Sequence, residues 1–410
     1  MTAVHRIWRW NGPRVVFDPS CEIGPMMTAA LQDDGCNVVS IGLDGNGLNA
    51  LDWLDPADGE CDAHIRTVVD HVWNSGGAGR SGARGNVDPF WELQGRSLVS
   101  CLLAHLMYQS SGPKTLALLR EGIALPEADL KTLLAGIHAG SPSSMARGIA
   151  GGLMAMGAPE TFSGIVANAK AGTDWLGVAS YASVVSGDAM RTMDILDPNT
   201  VVFVQIPLRT LLATPAVGRA VIGSLFNALF GADGKIPNSV LFQIDEAAIL
   251  GPLKEIMLCY TTARKYRGCI SAIFQSEAQL EETFGREGAK TLRDSAAWRS
   301  YNAVQDGDIA ERLSRDIGSH AVLAFSEGDN QGQSKPFGLT LGSASRGSNV
   351  NIHEISRRLV KVDEIMRAPA DEMFVLARNF ANPIRCVTAP FFRYPDLAGL
   401  MAANRFAKTS

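Results

Sequence analysis

The run "SVLFQID" (residues 239–245) ends in Asp245 and is followed by Glu246 and the apolar helix start "AAILG". A buried strand ending in two acids places them in the crevice where open α/β sheets bind ligands. One carboxylate there holds Mg²⁺ through water, and the next orients and deprotonates an attacking water. An apolar run followed by Asp-Glu is a weak motif alone. The next strand pattern, "SAIFQ", ends in Gln275, 29 residues after Glu246. Adjacent parallel strands end side by side, so Gln275 is placed to orient water or sense a γ-phosphate. The plainer account is a cap for the helix that begins at Ser276. Between the two strands lies "TTARKYRG" (261–268), with Arg264, Lys265 and Arg267 on the last turns of a predicted helix. These cations either complement the helix dipole or supply an arginine to a neighbouring subunit's nucleotide. Such a strand normally works with a phosphate loop, G-x-x-x-x-G-K-[ST], and no such motif occurs in the 410 residues.

The elements that would carry these residues are legible as alternation. Residues 14–18, 37–42, 200–207, 239–245 and 269–275 are short β-branched runs without polar alternation. Such runs mark strands of a parallel sheet covered on both faces. Helical patterns lie between them, including 252–266 and 277–284, which predicts a mostly parallel α/β core. From 112 to 187 there is no strand pattern, only Leu/Ala/Met-rich helices broken at "SGP", "ALPEA", "AGSPSS" and "MGAPE". The expected organisation is therefore residues 1–111 as the first part of the α/β domain, 112–187 as an all-α insertion, and 188–410 as the second part. The segment 74–85, Gly-rich but without Gly-Lys-Ser/Thr, reads as a linker before a helix at Asp88. Further elements are expected as a helix at 308–317, strands at 320–325 and 337–341, and strands in "MFVLARN" and "IRCVTAPFF".

Composition narrows the function classes. A net charge of -5 argues against coating nucleic acid by bulk electrostatics and leaves room only for a local basic groove. The 7 cysteines are scattered without a C-x-x-C pair, which suits a reducing compartment. Cys61, His64 and His71 come nearest to metal-ligand spacing, but read better as one helix face. The most apolar windows, 201–207 and 220–232, fall short of a membrane span.

Taken in order, the motifs resemble the coupling proteins of type IV secretion and conjugation, the TraG/TraD type of DNA-transfer ATPase. "WNGPRVVFDPSCEIG", "VDPFWELQGRSLVSCLLAHL", "VLFQIDEAAILG", "IFQSEAQLEETFG" and the C-terminal run 357–397 each match a family segment, and together they cover nearly the whole chain. The resemblance implies a RecA-like P-loop NTPase core interrupted by an all-α domain that faces substrate. It also implies a homo-hexamer that moves single-stranded DNA, nucleoprotein or effector protein with ATP and Mg²⁺. By the same likeness Asp245 serves the metal through water, Glu246 the attacking water and Gln275 the γ-phosphate. Arg264 takes the place of the trans-acting arginine, and Asp18 and Glu22 join Asp245 on the nucleotide side. Implied partners are a relaxase or relaxosome and the secretion-channel components, at the cytoplasmic face of the inner membrane.

Two departures qualify that resemblance. Ser20 and Cys21 stand where the family has Lys-Gly. The family's phosphate loop falls just upstream of Met1, as do its membrane helices, so the chain reads as a truncated member that binds ATP weakly and hydrolyses it negligibly. The expected consequences are unpaired edges beside an absent central strand and poor solubility. The alternatives are a non-hydrolysing paralogue kept for binding or assembly, and an FtsK-like DNA translocase. The latter would carry a winged helix and lack the insertion at 112–187.

Overall fold

The structure, a computed structural model, describes every residue except 1, 75–88, 263, 334–343, 405 and 407–410. Five of the β-branched runs form one parallel sheet: β1 (Arg14–Phe17), β2 (Asn37–Gly42), β3 (Thr200–Gln205), β4 (Val240–Ile244) and β5 (Gly268–Ala272). Their order is β2-β3-β1-β4-β5, so the first strand of the chain is the middle one. Val15 lies opposite Val202 on one side and Phe242 on the other. Every residue of β1 and β4 is buried. The edges are different. Strand β5 is only half-buried along its length, and most of β2 is half-buried or exposed. Among the described residues the open-sided strands of this sheet are β2 and β5.

Strand periodicity sends alternate side chains to opposite faces. Val16 and Phe203 face α1 (Thr2–Arg9) and α2 (Ile23–Asp33), whose Ile7, Met27 and Leu31 complete that core. Val15, Phe17 and Phe242 face the other way. They belong to the large core that includes α3 (Cys61–Val72), α4 (Pro89–Met107) and, further on, α11 (Pro215–Gly231).

Between α4 and β3 the described regular elements are helical: α5 (Leu116–Ala124), α6 (Glu127–Gly140), α7 (Ser144–Met154), α8 (Pro159–Gly172) and α9 (Ala179–Ser186), with short 3₁₀ turns. Their starts follow the sequence punctuation. Thr115 and Ser143 cap α5 and α7 through their hydroxyls, and Pro159 opens α8. After β3 come α10 (Leu208–Ala213), α11, α12 (Lys254–Thr262) and α13 (Glu277–Ser295). The last of these breaks at Gly285, φ 72°, which is why its predicted end falls near Phe284. Helix α12 stops before Arg264, so Arg264, Lys265 and Arg267 lie in the turn beyond it rather than on its last turns.

The chain divides into two compact units, Met1–Ser295 with Pro390–Ser410, and Ala296–Ala389. The helical stretch 112–187 lies within the first unit. The second contains β6 (Trp298–Asn302), α14 (Gly307–Ile317), the hairpin of β7 (Ser319–Gln333) and β8 (Ala344–Arg358), α15 (Val362–Met366), β9 (Glu372–Ala377) and β10 (Ile384–Val387). Here the sheet is antiparallel, in the order β10-β9-β6. The predicted strand at 337–341 and all but the first residue of the Gly-rich segment 74–85 lie outside the described residues. A short helix, α16 (Pro395–Ala398), belongs to the first unit. Among the described residues no helix is long and apolar enough to cross a membrane.

Candidate functional site

Strands β1, β4 and β5 are parallel and adjacent, so the loops that follow them meet at one edge of the sheet. Asp245 is the first residue past β4, and its amide donates to the Phe17 carbonyl at 3.1 Å. Glu246 then takes left-handed backbone angles, φ 52° and ψ 51°. That region is uncommon for a residue with a Cβ. The turn is locked to β5: the Ile273 amide donates to Ile244, and the Ala247 amide to Ile273, at 3.0 and 2.9 Å.

This stitching brings Gln275 to Glu246, with Gln275 Nε2 donating to Glu246 Oε1 at 2.6 Å. The capping account of Gln275 is filled by other groups. Ser276 Oγ accepts the Gln279 amide at 3.1 Å, and Gln279 Oε1 accepts the Gln275 amide at 3.0 Å. The Gln275 side chain is thereby directed to the acid.

Asp18, the first residue past β1, is fully buried and organises its own loop. Its Oδ2 accepts from the Gly24 amide at 3.0 Å and from Gln205 Nε2 at 3.4 Å; its Oδ1 accepts from Ser20 Oγ at 2.8 Å and the Glu22 amide at 3.2 Å. Cys21 is left-handed, φ 53°. The Glu22 carboxylate accepts from Asn404 Nδ2 at 2.6 Å.

Burial raises the Asp245 pKa above its usual 3.8, and the negative charges of Glu246, Asp18 and Glu22 raise it further. Carboxylate oxygens under mutual repulsion suit a hard divalent cation. Among the described residues no three His, Cys, Asp or Glu side chains are placed to cage a metal. Mg²⁺ takes one or two protein carboxylates together with water and phosphate oxygens, and Asp245 is the carboxylate here that could serve it. The same acids repel a bare triphosphate, which needs backbone N–H groups and a lysine to hold it.

Arg264 stands apart from these residues. It precedes β5, whereas Gln275 follows it, so the strand's rise of roughly 16 Å separates Arg264 from the acid pair within one chain. Its side chain is exposed.

Cys61, His64 and His71 do not converge. Cys61 is buried, His64 lies 3.7 Å from Asp58, and His71 is buried against Glu255 at 2.8 Å.

Two contributors escaped the sequence reading. Gln205 ends β3 as a polar residue closing an apolar run, the signal that picked out Gln275, and it braces Asp18. A Cβ on Gly24 would lie 2.6 Å from the Gln205 side-chain nitrogen, so a larger residue there would displace the Gln205 side chain from its present position beside Asp18. Asn404 carries no comparable signal, being a tail residue without periodicity.

A buried parallel sheet of this strand order, with two acids and a glutamine at its strand ends, has the fold of a RecA-like core, here interrupted by helices. Residues 5–410 match the family model described as Type IV secretory system Conjugative DNA transfer, and the chain belongs to that family. It is 33% identical over 405 residues to the conjugal transfer protein TraG of Rhizobium radiobacter, covering 97% of this chain and 61% of that protein. It is 31% identical over 417 residues to the type IV secretion system-coupling protein VirD4 of Bartonella quintana, covering 99% and 63%. The chain thus spans about three fifths of the length of these relatives. The coupling protein TrwB in complex with ADPNP superposes with a TM-score of 0.65 at 16% identity, over 94% of this chain and 80% of that one. TrwB with ADP and Mg²⁺ gives 0.64 at 18%, over the same shares. At these identities the two structures speak for the fold.

Proposed function

We propose that the chain is the body of a coupling-protein motor, which recruits DNA or protein substrate for a type IV secretion channel and moves it by ATP hydrolysis in a hexameric ring. The observation that carries this reading is the 2.6 Å bond between Gln275 and Glu246 at the shared end of β4 and β5. Glu246 takes the proton of the attacking water. Gln275 holds the Glu246 carboxylate in place and reads the terminal phosphate beside it. Asp245, kept from ionising freely by burial and its acidic neighbours, is the carboxylate that would hold Mg²⁺. Mg²⁺ bound with the nucleotide would neutralise charge on the phosphate oxygens. Asp18 and Glu22 shape the nucleotide side of the crevice.

Residues 1–111 and 188–410 form the motor in this proposal, with 112–187 the inserted helical part that meets substrate. The phosphate-binding loop is not among these 410 residues, so the polypeptide by itself turns over ATP negligibly. Arg264, at the opposite end of β5, serves the site of the next subunit. The helical insertion argues against an FtsK-like translocase.

The test uses the chain preceded by a strand and a G-x-x-x-x-G-K-[ST] loop of this NTPase class. Glu246→Gln and Arg264→Ala versions are expected to be inactive separately and to regain part of the activity when mixed, since a mixed ring holds sites with both residues intact. Absence of recovery in rings verified to be mixed contradicts the trans role of Arg264.

A further inference from the structure

The end of the first unit returns to the loop that carries Glu22. Leu397 and Met401 are buried among Ala3, Val4 and Ile7 of α1 and Met26 and Met27 of α2. Tyr394 stands edge-on to the His5 ring, centroids 4.2 Å apart, and Asp396 pairs with Arg9. The Ala402 amide donates to the Met26 carbonyl at 2.9 Å. Two residues later Asn404 Nδ2 reaches Glu22 Oε2 at 2.6 Å, across 382 positions of sequence. The Phe406 amide donates to Asn404 Oδ1 at 2.8 Å, which fixes the side chain with its NH₂ group toward Glu22.

We propose that residues 394–404 are a strap built into the fold and that Asn404 is a positioning residue, holding Glu22 at the mouth of the site. The Glu22 carboxylate is one of the negative charges acting on Asp245, so the two carboxylates repel each other. A lysine at 404 would hold Glu22 and cancel its charge. An amide holds it and leaves the charge in place, as a site that attracts a divalent cation requires. Apolar burial of Leu397 and Met401 anchors the strap on both helices that flank β1, so Glu22 is released only when this segment lifts. Displacement of the C-terminal segment is therefore a means of opening the acid-bearing loop from outside the crevice. The functional consequence rests on the reading of this loop as part of the nucleotide site; the strap itself does not.

The half-buried thiol of Cys21, next to Glu22, reports on the loop. Its alkylation by iodoacetamide is followed by peptide mass spectrometry on the folded 410-residue chain, with the buried Cys61 and Cys101 as controls of the fold. Asn404→Asp, which sets a carboxylate against Glu22, is expected to speed Cys21 alkylation by roughly threefold or more while Cys61 and Cys101 stay protected. The double variant Glu22→Gln/Asn404→Asp exchanges amide and carboxylate and is expected to restore the original rate. A merely structural role for Asn404 does not give that rescue. An unchanged rate in Asn404→Asp, or a double variant as reactive as the single one, overturns the proposal. Should Asn404→Asp expose Cys61 as well, Asn404→Ala decides. Faster Cys21 labelling with Cys61 protected supports the strap, and labelling at the original rate overturns it. None of these readings depends on nucleotide, so failure of the strap and failure of the motor reading are separable.

Discussion

Glu246 combines the base role proposed for it with a backbone conformation that L-residues avoid, at a cost of roughly 1–2 kcal/mol. Replacing it with glycine should relieve strain and remove the base together. Glu246→Gly is expected to raise unfolding free energy in urea by about 1 kcal/mol; a loss of stability would show that the left-handed turn is not strained. Asp245 gives a pH-dependent counterpart. Its folded pKa lies above 3.8, so its favourable contribution is present below that value and is lost as pH rises through the folded pKa. Asp245→Asn should therefore melt higher than the parent chain at pH 7, with the difference closing as the pH falls toward 4. A variant that melts lower at pH 7 would contradict the penalty assigned to burial and to the repulsion of Glu246, Asp18 and Glu22.

The elements are tied together away from the crevice by a buried pair. Consecutive residues of α3 meet consecutive residues of α12: Asp70 with Lys254 at 2.7 Å and His71 with Glu255 at 2.8 Å. Arg96 of α4 joins at Asp70, and Asn227 of α11 at Glu255. Burial works against ionisation of Glu255, yet the hydrogen bonds and charge of His71 and the bond from Asn227 outweigh it and hold the pKa below 4.5. This stabilisation is present above pH 4.5 and is lost as pH falls through the lower folded value. Removing one partner of a buried pair costs about 3–5 kcal/mol, so His71→Ala should lower urea-unfolding stability by that amount at pH 7. A loss under about 1 kcal/mol would show the pair to be solvent-screened.

These elements also show what was legible beforehand. The central strands were, because burial on both faces leaves an unbroken apolar run; β1, β3 and β4 fall within one or two residues of the reading. Strand β8 was not, since its sequence is polar and it is held by pairing with β7 rather than by burial. Glu246 and Gln275 were legible because polar residues ending apolar strands stand out. Asn404 and the clasp at His71 were not, since long-range side-chain contacts leave no spacing in the sequence.

At the scale of the molecule, Arg264 and the acid pair lie at opposite ends of β5, so under the proposed trans role of Arg264 each chain would complete the site of its neighbour in a ring. In the proposed division the residues present supply the acids for metal and water, while a G-x-x-x-x-G-K-[ST] loop is not among them. ATP turnover tests that division most directly, measured for the chain as it stands and for the chain preceded by a strand and G-x-x-x-x-G-K-[ST] loop. The account predicts turnover only in the second, dependent on Mg²⁺ and lowered roughly 100-fold or more by Glu246→Gln. Mg²⁺-dependent hydrolysis by the 410-residue chain alone, or turnover in the loop-bearing chain that is indifferent to Glu246→Gln, would contradict it.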